Sequence, residues 1–318
     1  MRPQLTMVQQ AHAYLKHRRA MGFVLWDIGR RVLRFAQFVD QSGHCGPLTA
    51  NLILRWVRLP EAASRSYLKA RLSAIRGFAR YVAARDGQTE VPDSKLTPNA
   101  SRLRPHIYDE RQLQQLLVAA SQIRPDYQLR PLTYRTLFGL LASTGLRISE
   151  ALKLASDQVD LKRGLVRVEQ TKFKKSRLVP LHPTTIRALR RYVAARNRRW
   201  GCHDGSRFFV GHNGLALKYK TVRAVFHVLR HNLGWDRGKG EGHWPRIHDF
   251  RHSFACRRLL CWYRDGEDVH HRIAALSTYL GHSEVTYTYW YLTGTPELLA
   301  VIGSRFERFA SPARRRQS

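Results

Sequence analysis

Thr144-Gly145-Leu146-Arg147-Ile148-Ser149-Glu150 is the stretch on which the fold turns. It closes a helical run marked by Leu137, Phe138, Leu140 and Leu141 with a glycine turn, then sets an arginine and a glutamate at the start of the next segment. Upstream, Asp109 is placed to cap a helix carrying Leu113, Leu116 and Leu117, and a second domain starts there. Downstream, the period changes after Gly164. Residues 165–169 and 176–180 are β-formers on either side of a lysine-rich turn, so a small hairpin is predicted, with a weaker strand over 207–210. Helical spacing returns over 183–197, 218–232, 248–260 and 268–280. Such a domain is mainly α with a small β-sheet.

Before it, residues 7–86 show apolar side chains at helical spacing, among them Val32, Phe35, Phe38 and Val39. Thr49 and Ser64 stand where N-caps belong, ahead of segments carrying Leu52, Ile53 and Trp56, and Leu72, Ile75 and Phe78. Lys69, Arg71, Arg76 and Arg80 on the last helix either face phosphate or form a solvated face. Between Gly87 and Pro105 the pattern stops, and Pro92, Pro98, Asn99 and Ser101 punctuate a polar stretch. The expected plan is a helical domain over 1–90, a linker over 91–106, a second domain over 107–294, and a C-terminal helix with a basic tail over 295–318.

Lys and Arg number 55 against 23 Asp and Glu among 318 residues, and the formal charge of +32 is spread along the chain. A polyanion suits such a surface, because each phosphate neutralised releases condensed counterions. No run of apolar residues is long enough to span a bilayer, which favours nucleic acid over a membrane. The first residues, MRPQLTMVQQ, lack the apolar core of a secretory signal, so a cytoplasmic location is expected. Cys45, Cys202, Cys256 and Cys261 include no C-x-x-C pair, and free thiols are the plain reading.

Four segments belong together: 144–150, then Thr171-Lys172 in the hairpin turn, then His248-Asp249-Phe250-Arg251, then Gly281-His282 followed by Tyr291. In this order and at these intervals the set resembles the phage integrase, or tyrosine recombinase, family. The resemblance covers residues 109–292, and the basic helical N-terminal domain is similar to that family's core-binding domain. It implies a two-domain clamp on double-stranded DNA and strand exchange through a 3′-phosphotyrosyl bond, with no cofactor, metal or ATP. A homotetramer, or a mixed tetramer with related recombinases, on two DNA sites is implied as well.

The chemistry accounts for these residue types. Attack on a phosphodiester builds negative charge on its non-bridging oxygens, and the planar donors of two guanidiniums, Arg147 and Arg251, match it. The resemblance makes Lys172 the general acid for the departing 5′ oxygen, although Lys174 and Lys175 lie beside it. His248 becomes the base or a second donor, His282 a donor to the scissile phosphate, and Glu150 the acid that orients Arg147 or a histidine. Tyr291 becomes the nucleophile, its ordinary pKa of about 10 demanding a base. Tyr287 and Tyr289 crowd it, so a shifted register would present another hydroxyl. The match through Trp290-Tyr291-Leu292 and Thr295-Pro296-Glu297 favours Tyr291 and resembles members carried by mobile elements.

Two rivals carry a different chemistry. His248-Asp249-Phe250-Arg251-His252 superficially resembles the H-E-x-x-H helix of zinc hydrolases, but an arginine sits between the histidines and no third ligand is evident. A DNA-binding accessory protein retaining the fold fits the charge equally well, yet has no use for a phenol, a hairpin lysine and paired guanidiniums together. Beyond Tyr291, Leu298, Ile302, Phe306 and Phe309 recur along one face of a helix that Thr295 caps, with Pro296 at its first position. That helix packs either on its own domain or, as the resemblance implies, on a neighbouring protomer. Arg314, Arg315 and Arg316 follow as a basic tail.

Overall fold

The computed structural model describes residues 5–97, 105–124, 129–169, 176–201, 206–235, 244–282, 284–289, 291, 300 and 303. The chain divides into two compact units, Met1–Arg102 and Leu103–Ser318.

In the first unit, α1 (Met7–Ala20), α2 (Trp26–Gln41), α3 (Ala50–Arg58) and α4 (Arg65–Asp86) surround one apolar core. Thr49 and Ser64 cap α3 and α4 as expected, accepting from the Leu52 and Tyr67 amides at 3.2 and 3.3 Å. Phe35 is the hub. Its ring meets Trp56 edge-on at 5.4 Å and Phe78 at 6.4 Å, so three helices share one aromatic contact set. α2 packs on α1 at Gly29, where a Cβ would meet Leu15 at an ordinary contact distance of 3.5 Å.

The basic face of α4 is more divided than the sequence suggests. Arg71 is buried, with its guanidinium 3.5 Å from the Trp56 ring centroid and donating to the Trp56 carbonyl at 2.6 Å. Arg76 donates to the Pro92 carbonyl at 2.7 Å, whereas Lys69 and Arg80 are exposed. The polar stretch after Gly87 also packs on this unit: Glu90 donates its backbone N–H to the Leu48 carbonyl and accepts from the Ala50 amide. Pro98, Asn99 and Ser101 lie outside the described residues.

In the second unit, α5 (Glu110–Ser121), α6 (Arg130–Thr144), α8 (Pro183–Trp200), α9 (Tyr219–Asn232) and α10 (Asp249–Arg264) enclose the larger core. The short α7 (Ile148–Lys153) follows α6, and α11 (Val269–Leu280) and α12 (Thr286–Tyr289) close the described chain. A three-stranded antiparallel sheet runs β1 (Val159–Asp160), β2 (Leu165–Val168), β3 (Arg177–Pro180). The hairpin is therefore present with Val166 opposite Val179, and β1 is an added edge strand. Residues 207–210 form isolated bridges only, Ala155 to Arg207 and Val210 to Ala216, rather than the strand expected there. Lys172, Lys174 and Lys175 lie outside the described residues.

Tyr108 fixes where α10 begins. Its ring stacks on Phe250 at 4.9 Å, its hydroxyl donates to the Arg246 carbonyl at 3.0 Å, and its amide donates to Ser253 Oγ at 2.8 Å. The fully buried Asp249 closes the turn from the other side by accepting from the Arg246 amide at 2.8 Å. Residues 248–251 consequently sit on a rigid support.

Candidate active site

Gly145 is the hinge on which the site is built. It ends α6 in the left-handed region, at φ 65°, and a Cβ there would lie 2.6 Å from the Phe254 ring. Only glycine lets the chain turn so sharply against α10. The turn exposes the Gly145 carbonyl to Arg251 Nη1 at 3.0 Å and delivers Arg147 to the first position before α7.

The end of α11 gathers three arginines from three different elements. Arg177 Nε, from β3, donates to the Tyr279 carbonyl at 2.7 Å. Arg251 Nη2, from α10, donates to the Leu280 carbonyl at 2.6 Å, and Arg147 Nη2 donates to the Gly281 carbonyl at 3.1 Å. A helix leaves its last carbonyls unpaired and carries partial negative charge there, so three successive acceptors draw in three cations. His282 follows at once.

One carboxylate serves this group. Glu150 accepts from Arg147 Nη1 at 2.9 Å, from Arg177 Nη2 at 2.8 Å and from the Arg147 amide at 3.0 Å. Its side chain is only 8% exposed, so it is not the solvated helix-start carboxylate that position alone permits. Burial pushes its carboxyl upward, but the Arg177 and Arg147 contacts win and hold it below the usual range. Three guanidiniums and one carboxylate leave two positive charges in excess.

Arg251 is 2% exposed, and burial next to Arg147 lowers its pKa to about 10, still far above neutrality. Tyr291 is 3% exposed, and its phenol lies near enough to Arg251 to feel that guanidinium's charge. Burial raises the Tyr291 pKa against the opposing pull of Arg251. Around the phenol lie His282, its ring centroid 6.1 Å away and nearly parallel, and His252 at 5.4 Å. His248 stands perpendicular to His252 at 4.8 Å. Burial and then the Arg251 charge lower the His248 pKa, and the same causes push His282 down to about 3. His282 Nδ1 also shares a proton with Thr288 Oγ1 at 2.8 Å, which orients its ring.

Arg147, Glu150, His248, Arg251, His282 and Tyr291 thus occupy one site, whereas Lys172 lies outside the described residues. Tyr289 and Tyr287 are 40% and 44% exposed and do not enter the arginine cluster as Tyr291 does. Arg177 was not singled out by sequence reasoning. Its position after the hairpin turn looked like an ordinary strand residue, and the only signal was a charged residue on a short strand opposite Val168. The zinc-hydrolase reading finds no support in Asp249, whose carboxylate is committed to Arg246. Among the described residues no three His, Cys, Asp or Glu side chains cluster as metal ligands.

Such a cluster of cations around a phenol has the charge to hold a phosphate. The sequence profile of the phage integrase family matches residues 107–297. The chain is 39% identical over 308 residues to y4rB of Sinorhizobium fredii, whose name places it among integrases and recombinases, covering 95% of this chain and 98% of that one. It is 34% identical over 230 residues to tyrosine recombinase XerC of Azotobacter vinelandii, covering 72% and 69%. The fold matches the Tn1549 transposon integrase, in complex with a circular intermediate DNA, with a TM-score of 0.70 at 17% identity, covering 96% of this chain and all of that one. The chain belongs to the phage integrase family of tyrosine recombinases. No described helix is long and apolar enough to cross a membrane.

Proposed function

We propose that the chain cuts and rejoins duplex DNA through a covalent bond between Tyr291 and a 3′ phosphate. The observation that carries this reading is the burial of the Tyr291 phenol against Arg251, within a site whose guanidiniums outnumber its carboxylates by two. A scissile phosphate brings one negative charge to that site. Arg147 and Arg251 hold its non-bridging oxygens, and their preorganised charge stabilises the pentavalent transition state more as charge grows there. This is the contribution that a divalent ion makes in other phosphoryl-transfer sites, so the reaction proceeds without metal or ATP.

Proton movements follow from the electrostatics. The phenol is protonated at neutral pH and needs a base, while His248, kept neutral by burial and Arg251, accepts that proton. His282 donates to a phosphate oxygen. Lys172 gives its proton to the departing 5′ oxygen, and religation reverses each transfer, so the energy of the broken bond is stored in the phosphotyrosine. Glu150 orients Arg147.

The first unit acts as the core-binding half of a clamp on DNA, and assembly on two sites as a tetramer uses the helix after residue 294, of which residues 300 and 303 alone are described. A cytoplasmic location fits this substrate. The test is a suicide duplex nicked so that the 5′ product diffuses away. Wild-type protein should shift labelled DNA under denaturing conditions and Tyr291→Phe should not, with native binding retained. A shift that persists with Tyr291→Phe assigns the nucleophile elsewhere.

A further inference from the structure

All three guanidinium nitrogens of Arg177 donate within the protein. Its Nε serves the Tyr279 carbonyl at 2.7 Å, its Nη1 the Oε1 of Glu150 at 3.2 Å and its Nη2 the Oε2 at 2.8 Å. Its side chain is 9% exposed. Each nitrogen of so buried a residue is already held by the protein, which turns the guanidinium inward and away from a phosphate. It also lies directly beneath the turn before His282: Gly281 adopts φ 69°, and a Cβ there would come within 2.7 Å of Arg177 Nη1. The same Oε1 that takes Arg177 Nη1 takes Arg147 Nη1 at 2.9 Å.

We infer that Arg177 is a positioning residue for strand cleavage, a single anchor that fixes Arg147 through Glu150 and fixes His282 through the turn packed on its guanidinium. Two groups that face phosphate from different elements, α7 and the end of α11, thereby keep one spacing. The planar fork is required. A lysine carries its three donors on a single nitrogen and lacks the planar, spread fork that spans both Glu150 oxygens and a carbonyl together.

This inference rests on the catalytic reading above, and its test separates the two. Single-turnover cleavage of the suicide duplex is measured for wild type, Arg177→Lys, Arg177→Gln and the double variant Arg177→Gln/Glu150→Gln. The double variant removes both charges and so avoids a stranded buried carboxylate. We expect both single variants to bind DNA as wild type does and to cleave roughly 10- to 100-fold more slowly, the range typical of groups that orient a reacting residue. The double variant should be no slower than Arg177→Gln, because both lesions break one link. Guanidinium ion in solution should restore part of the Arg177→Gln rate.

The acid limb of the cleavage rate in Arg177→Gln should move to higher pH, since Glu150 loses its stronger partner while staying buried. Relaxation of the Arg147 Nε–H signal reads the link without any cleavage, and Arg147 should become more mobile in Arg177→Gln. If wild type forms no adduct, the catalytic reading falls while the Arg147 measurement still decides this one. Unchanged Arg147 mobility, or rates within twofold of wild type for both single variants, overturns it. A slowed Arg177→Gln whose acid limb stays in place and which guanidinium does not rescue also overturns it, by showing a structural role only.

Discussion

At the scale of single residues, the site sorts its groups by charge state before any DNA arrives. His282 makes the sharpest case. Its pKa is 6.5 when unperturbed and about 3 in the fold, so the unfolded chain takes up the proton first as pH falls. Stability linked to this residue is therefore complete above pH 6.5 and is lost progressively down to about 3. His282→Gln should show a smaller drop in urea midpoint between pH 7 and pH 4 than wild type. Parallel losses in the two proteins would show that the arginines do not depress this histidine. Lys172→Ala, in contrast, should lose cleavage of an ordinary duplex and regain it on a substrate with a 5′-thiol leaving group, which departs without a proton. Absence of that rescue transfers the acid role to Lys174 or Lys175. Tyr289→Phe should leave adduct formation intact, because its hydroxyl lies outside the arginine cluster.

Elements decide whether those residues meet. Gly145 joins α6 to the Arg147 turn with positive φ and a contact that a methyl group would break. Gly145→Ala should cost on the order of 1–3 kcal/mol from backbone strain, before any repacking of Phe254. For a unit of this size that is a loss of several degrees in melting temperature. Cleavage should fall further than stability, since the displaced Gly145 carbonyl is also a partner of Arg251. A variant that melts and cleaves like wild type would mean the turn is not under this constraint. This scale also shows what the sequence made legible. Caps such as Thr49, Ser64 and Asp109 were readable because a side-chain oxygen before an apolar period has one strong local use. Arg147, His248, Arg251 and His282 were readable because each lies within a short local pattern. Arg177 was not, because its partners Glu150 and Tyr279 are 27 and 102 residues away and nothing local marks that pairing. Residues 207–210 misled for the same reason: β-forming side chains there fill a core, and their pairing stops at single bridges to Ala155 and Ala216.

For the whole molecule, charge and the C-terminal segment govern behaviour. With a formal charge of +32, DNA binding should weaken steeply with salt, by about 0.9 in the logarithmic slope for every phosphate contacted. Truncation after Thr293 should leave binding to a single site while abolishing the pairing of two sites, as followed by gel shift or light scattering. A truncated chain that still pairs and recombines two sites would place the assembly contact elsewhere. The same truncation should not alter the melting of the first unit, whose core is complete by Val82.

The three carbonyls at the end of α11 carry a consequence for the life of the protein in a cell. They come from the end of one helix, yet two of the three arginines they hold, Arg147 and Arg177, lie more than a hundred residues earlier in the chain. A growing chain completes the core of its first unit long before Tyr279, Leu280 and Gly281 exist to assemble the cations. On the function proposed above, the capacity to break a strand should therefore arrive only once the second unit has folded.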